Sequence, residues 1–115
     1  MGYIHIDNLY KNQNILLFKK CFALEKIHGT SAHVQWIKQG TQLKLFAGGI
    51  KQDLFEAIFD KSNLQTKLLE SGVEEVTIFG EAYGGKCQAM SHTYGKDLKF
   101  IAFDVKIGKY WLDVL

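Results

Sequence analysis

The sequence contains no arginine: all 14 of its basic residues are lysine. Any phosphate contact from a basic side chain must therefore use a compact ammonium and not a planar, bidentate fork. Proline is absent as well, a scarcity that names no function. Cysteine occurs only as Cys21 and Cys87. Two such residues make neither a disulfide framework nor a zinc site, and they read as buried or half-buried thiols of a reducing compartment. No apolar run approaches the length needed to cross a bilayer, and no signal-peptide pattern opens the chain. The expectation is an intracellular, cytoplasmic protein with no membrane partner. A strong field of either sign is also missing, since the net charge is only +2. What remains is 115 residues, 47% hydrophobic and 23% charged, an ordinary globular composition sized for one small domain over residues 1–115.

Periodicity and turn residues set out an order of elements. Residues 11–20 read as a short helix or turn. Residues 21–26 read as a strand, with 31–38 as its antiparallel neighbour, where Ala32, Val34 and Trp36 share one face at period 2. A turn at Gln39-Gly40-Thr41 leads to a third strand over 42–47, which Gly48-Gly49 breaks. Asp53 looks like a helix N-cap with Glu56 three residues on, in the manner of a capping box, ahead of the stripe Leu54, Phe55, Ala57 and Ile58. A second helical piece over 63–69 stops at Gly72. Strands are then expected at 76–80, from Lys99 in "KFIAFDVKI" and from Lys109 in "KYWLDVL", the last two joined around Gly108, with a long loop from Tyr83 to Leu98. That is about six strands with a helical insertion, an α+β pattern built on antiparallel pairing.

Three clusters carry chemistry. "EKIHGTS", residues 25–31, packs an acid, a lysine, a histidine, a glycine and two hydroxyls into seven residues. "IFGEAYGG", residues 78–85, delivers an acid from a strand end into a glycine loop. "FIAFDV", residues 100–105, sets aromatic rings beside an acid. A lysine followed by glycine three positions on is expected about once by chance in this composition, so Lys26 and Gly29 alone say little. Together the clusters suit a purine nucleotide with a metal: the lysine attacks phosphorus, carboxylates hold Mg²⁺ or ribose, and an aromatic face stacks on the base. Phe100 and Phe103 face opposite ways in an alternating strand, so one of them belongs to the core.

In these three motifs, and in their order, the chain resembles the ATP-dependent RNA ligases of the covalent nucleotidyltransferase superfamily, which includes DNA ligases and mRNA capping enzymes. "EKIHGTS" resembles the nucleotidyl-lysine motif, "FGEAYG" the third motif, and "FIAFDV" the aromatic–acid motif that follows it. The run "GEAYGGKCQAMSHTYGKDLKFIAFDVKI" is similar to phage-type and bacterial members of the RNA ligase branch. The resemblance implies the mainly antiparallel, ATP-grasp-like ligase core. It also implies ATP and Mg²⁺ as cofactors and RNA ends, a 5′-phosphate and a 3′-hydroxyl, as partners. In that family a lysine takes AMP from ATP, AMP passes to the RNA 5′-phosphate, and a 3′-hydroxyl displaces it. The resemblance makes Lys26 the nucleophile. It places Glu25, Ile27, His28, Gly29, Glu81 and Phe103 at ATP, with Glu25 reading adenine, Phe103 stacked on it, and Glu81 at ribose or metal. Thr30 and Ser31 fit ribose or phosphate contacts, or an ST-turn; many relatives carry asparagine at the Ser31 position. Lys44 and Phe46 lie where relatives carry a phosphate-binding basic residue. Asp104 reads as structural, and Lys96 and Lys99 as lysines of a solvated loop within reach of RNA phosphates. His5, His33 and His92 are assigned no chemistry.

Relatives carry two later motifs, a glutamate on a strand that completes the metal site and a pair of lysines that grip the α-phosphate. Nothing after Asp104 resembles either, and the strand expected from Lys109 is still in progress at Leu115. The expectation is part of an adenylyltransferase domain that awaits a C-terminal segment or a partner chain and is feeble or inactive alone, because phosphoryl transfer depends on positioning and charge neutralisation. Two other readings stand beside it, a non-catalytic nucleotide- or RNA-binding remnant of the same fold and a DNA ligase or capping-type enzyme; the bland alternative is a structural α+β domain whose motifs are coincidence. A cytoplasmic location, including a host's cytoplasm for a phage-encoded chain, goes with all three.

Overall fold

A computed structural model describes residues 2–21, 23–84 and 97–112. It is an α+β structure around one five-stranded sheet, with β1 Thr30–Ile37, β2 Gln42–Ala47, β3 Glu75–Tyr83, β4 Lys99–Ile107 and β5 Tyr110–Trp111 in the order β2-β1-β3-β4-β5. Every pairing is antiparallel. Two helices, α1 Gln52–Glu56 and α2 Lys61–Ser71, join β2 to β3, and a 3₁₀ turn at Asn14–Leu17 lies in the N-terminal segment. None of the described helices is long and apolar enough to cross a membrane.

The sheet is central because its β-branched and aromatic strands bury both faces. Ala32, Val34, Leu45, Ala47 and Ala82 form a core with Phe55 of α1, and Phe59, Leu64 and Phe100 pack against it. Phe55 meets Phe59 and Phe100 at ring-centroid distances of 5.1 and 5.8 Å. On the opposite face Phe79 is buried beside Tyr3, His33 and Trp111, at 5.1, 5.8 and 5.4 Å. Alternation along β1 therefore serves two layers: Ala32 and Val34 face the helices, and His33 faces the aromatic layer.

Three expectations are corrected. Residues 21 and 23–28 form no strand. Both edges of β1 are occupied, by β2 and β3, so β1 has no ladder position open for the segment that precedes it. The helix α1 has Lys51, not Asp53, at its N-cap, with no side-chain bond; Glu56 bonds instead to Gln52 and Lys61. A side chain does cap α2, where Asp60 accepts from the Asn63 N–H at 3.1 Å. Finally, Cys21 is exposed rather than buried, because the segment that carries it is not part of the sheet. Cys87, His92, Lys96 and most of the loop from Tyr83 to Leu98 lie outside the described residues, as do residues 113–115 of the expected last strand. As anticipated, α2 ends at Gly72, which takes the left-handed conformation at φ 75° that an L side chain resists.

Candidate functional site

The segment entering β1 and the paired ends of β3 and β4 enclose a cleft of about 790 Å³. Glu25, Lys26 and Ile27 form one wall, Glu81 the floor from β3, and Phe103 and Asp104 the wall from β4. Three sequence motifs far apart along the chain thus meet at one place. The pairing explains how: Ser31 lies opposite Glu81 and Thr30 opposite Ala82, so the residues just before β1 fall beside the end of β3 that carries Glu81.

Glu81 is the electrostatic centre of this arrangement. Burial pushes its carboxyl up from the ordinary value. The Lys26 ammonium, His28 and the Gly29 N–H, which donates to it, pull the other way without cancelling that rise. Lys26 and His28 are themselves exposed, whereas Glu81 is partly buried. Lys26 therefore stands at the solvent side of the cleft with the carboxylate beneath it.

Gly29 has a backbone reason to be glycine. A Cβ there would run into the Ala82 carbonyl oxygen. The close approach is to β3, and it brings the Gly29 N–H to the Glu81 carboxylate. Thr30 is buried, and its hydroxyl accepts from the Gly49 N–H at 2.8 Å. That bond ties the start of β1 to the turn after β2, so the hydroxyl acts across strands and not in a local turn.

A β-bulge aims the aromatic ring. Phe79 pairs with Asp104 and Gly80 with Ala102, which leaves Phe103 as the extra residue of β4. Phe100, three residues earlier, packs into the core under the helices, while Phe103 opens onto the cleft with 42% of its surface exposed. Gly80 makes the bulge fit, since a Cβ there would strike the Ile101 carbonyl oxygen and approach the Phe100 ring to 2.7 Å. Asp104 accepts a 2.7 Å hydrogen bond from the Tyr3 hydroxyl, in keeping with a structural part for this acid.

Of the residues that the sequence marks, Glu25, Lys26, Ile27, Glu81 and Phe103 line the cleft. His28 and Gly29 act on Glu81 from the adjoining turn. Ser31 is exposed on β1, one strand away. Lys44 sits on β2 opposite Gln35, two strands from the cleft. Tyr3, Ile6 and Leu24 also line it and carried no signal in the sequence, because they are isolated apolar or aromatic residues outside the three motifs, and Ile101 joins them from within the third motif. Among the described residues no group of three His, Cys, Asp or Glu side chains comes together as a metal cage. No protein-family model, curated protein or solved structure matches the chain.

Proposed function

We propose that this cleft accepts ATP and that Lys26 takes up its adenylate, the first step of an ATP-dependent RNA ligase-like nucleotidyltransferase. The single observation that carries the reading is the convergence of Lys26, Glu81 and Phe103 on one cleft. Its volume of about 790 Å³ falls within the range usual for small-molecule sites. The exposed ring of Phe103 is a surface for a purine, as aromatic faces stack on flat heterocycles. Lys26, at the solvent side, meets the phosphates. Its free amine attacks the α-phosphorus, a P–N bond forms, and the bond to the bridging oxygen breaks as pyrophosphate leaves with the electron pair. The amine proton passes to water. Transfer of AMP to an RNA 5′-phosphate and its displacement by a 3′-hydroxyl would follow.

The donor set fits Mg²⁺ only as an ion carried in by the triphosphate, with Glu81 as the carboxylate that meets it, since Mg²⁺ is commonly held by one or two carboxylates plus phosphate oxygens. Bound there it would offset phosphate charge.

A second reading has its own support. Among the described lining residues Lys26 is the only cation, set against the acids Glu25, Glu81 and Asp104. Such a site can hold a nucleotide yet neutralise a transition state poorly, which favours a binding module on the same scaffold. Incubation of the chain with α-labelled ATP and Mg²⁺ separates the two. Slow labelling that survives denaturation and vanishes in Lys26→Ala supports adenylyl transfer. Saturable ATP binding without covalent label supports the binding module, and no binding at all overturns both.

A further inference from the structure

We infer that Tyr3 is a positioning residue of the cleft, holding the Phe103 ring and the neighbouring Asp104 in place from a point 101 residues away in the chain. The inference rests on the reading of the cleft as a nucleotide site and adds a specificity element to it.

Phe103 needs such a partner. It is the unpaired residue of a bulge, so the ladder does not fix its backbone as it fixes its neighbours. Its ring is 42% exposed. Among the described residues the one ring that packs on it is Tyr3, edge-on at 5.2 Å and 81°. The same tyrosine contacts Phe79 at 5.1 Å and Trp111 at 5.5 Å, so it packs across the face of β3, β4 and β5 and is not loose on the surface. Its hydroxyl donates to the Asp104 carboxylate at 2.7 Å.

Ring and hydroxyl therefore grip two consecutive residues of the bulge. Asp104 in turn accepts from its own Val105 N–H at 3.0 Å, which fixes the carboxylate from the strand side. Burial and the Asp104 carboxylate push the Tyr3 phenol up to about 12, so the hydroxyl remains a donor at any physiological pH. Tyr3 and Phe103 stand nearly perpendicular, and both line the cleft. Together they form an aromatic corner: a flat base laid on Phe103 meets Tyr3 at its edge. The corner selects for the planar heterocycle, while phosphates fall at Lys26 on the other wall.

The test compares two probes, ATP and inorganic tripolyphosphate, titrated calorimetrically into the full chain and into the variants Tyr3→Ala and Tyr3→Phe. Loss of an aromatic partner and of a hydrogen bond to a carboxylate predicts about tenfold weaker ATP binding in Tyr3→Ala. Tripolyphosphate affinity should stay unchanged, since that probe has no base. Tyr3→Phe keeps the ring and should lie between, with a melting temperature close to that of the parent. A merely structural tyrosine would weaken both probes alike, and that result overturns the inference. Tighter ATP binding by Tyr3→Ala also overturns it, by showing that the N-terminal segment obstructs the cleft. If the parent chain binds no ATP, the nucleotide reading falls and takes this inference with it. If the parent binds ATP and Tyr3→Ala matches it, only the inference falls.

Discussion

Glu81 and His33 illustrate how much a single side chain depends on its surroundings. Glu81 occupies a partly buried place where its charged form is disfavoured, and two neighbouring residues and one N–H offset this only in part. The folded chain therefore holds the Glu81 proton more tightly than the unfolded chain does. Between the ordinary carboxylate value and the raised one, the folded state binds more protons, so stability falls as pH rises through that window. Glu81→Gln removes this dependence. Thermal melts of parent and variant across about pH 4 to about pH 7 should show the parent losing more stability than Glu81→Gln as pH increases; parallel curves would refute the account. His33 works in the opposite sense. Burial between the layers holds its imidazole below the ordinary histidine value, so its neutral form stabilises the fold at neutral pH and that contribution is lost on acidification.

At the scale of elements, two glycines decide the geometry of the site. Gly29 lets the segment before β1 touch β3, and Gly80 lets β4 bulge so that Phe103 faces the cleft. Gly80→Ala must displace the Ile101 carbonyl or the Phe100 ring. Overpacking of this kind costs about 1–3 kcal/mol, readable as a lower urea midpoint, and the shifted bulge should also weaken ATP binding. The N-cap of α2 provides the contrast: Asp60→Ala should cost about 1 kcal/mol and leave ATP binding untouched, because α2 contributes no lining residue to the cleft. If the Gly80 variant binds ATP as the parent does, the bulge is not what positions the ring.

For the whole molecule, the sheet divides two duties between its faces. One face anchors stability through Phe55 and Trp36, both fully buried, and the other supports the aromatic layer and the cleft. A domain of this size has about 5–15 kcal/mol of stability. Phe55→Ala should remove about 3–5 kcal/mol, enough to leave much of the chain unfolded near body temperature. Phe103→Ala, at an exposed ring, should keep its unfolding free energy within about 1 kcal/mol of the parent while losing the ATP affinity proposed above. Equal midpoints for the two variants would show that the helix-covered face is not the main core. The sequence legibly placed β1 through β4, the stop at Gly72 and the opposite facing of Phe100 and Phe103, because period and turn residues are local signals. It misplaced a strand at residues 21–26 and a cap at Asp53, where local signals agreed but the neighbours did not. From the sequence alone came the alternation that builds the strands, the ammonium-only chemistry of an arginine-free chain, and the three motif clusters. Only the tertiary structure decided that these clusters share a cleft, that a bulge turns Phe103 toward it and that Tyr3 lines it beside that ring. Those facts depend on antiparallel register and on contacts up to 101 residues apart, and no window along the chain contains them.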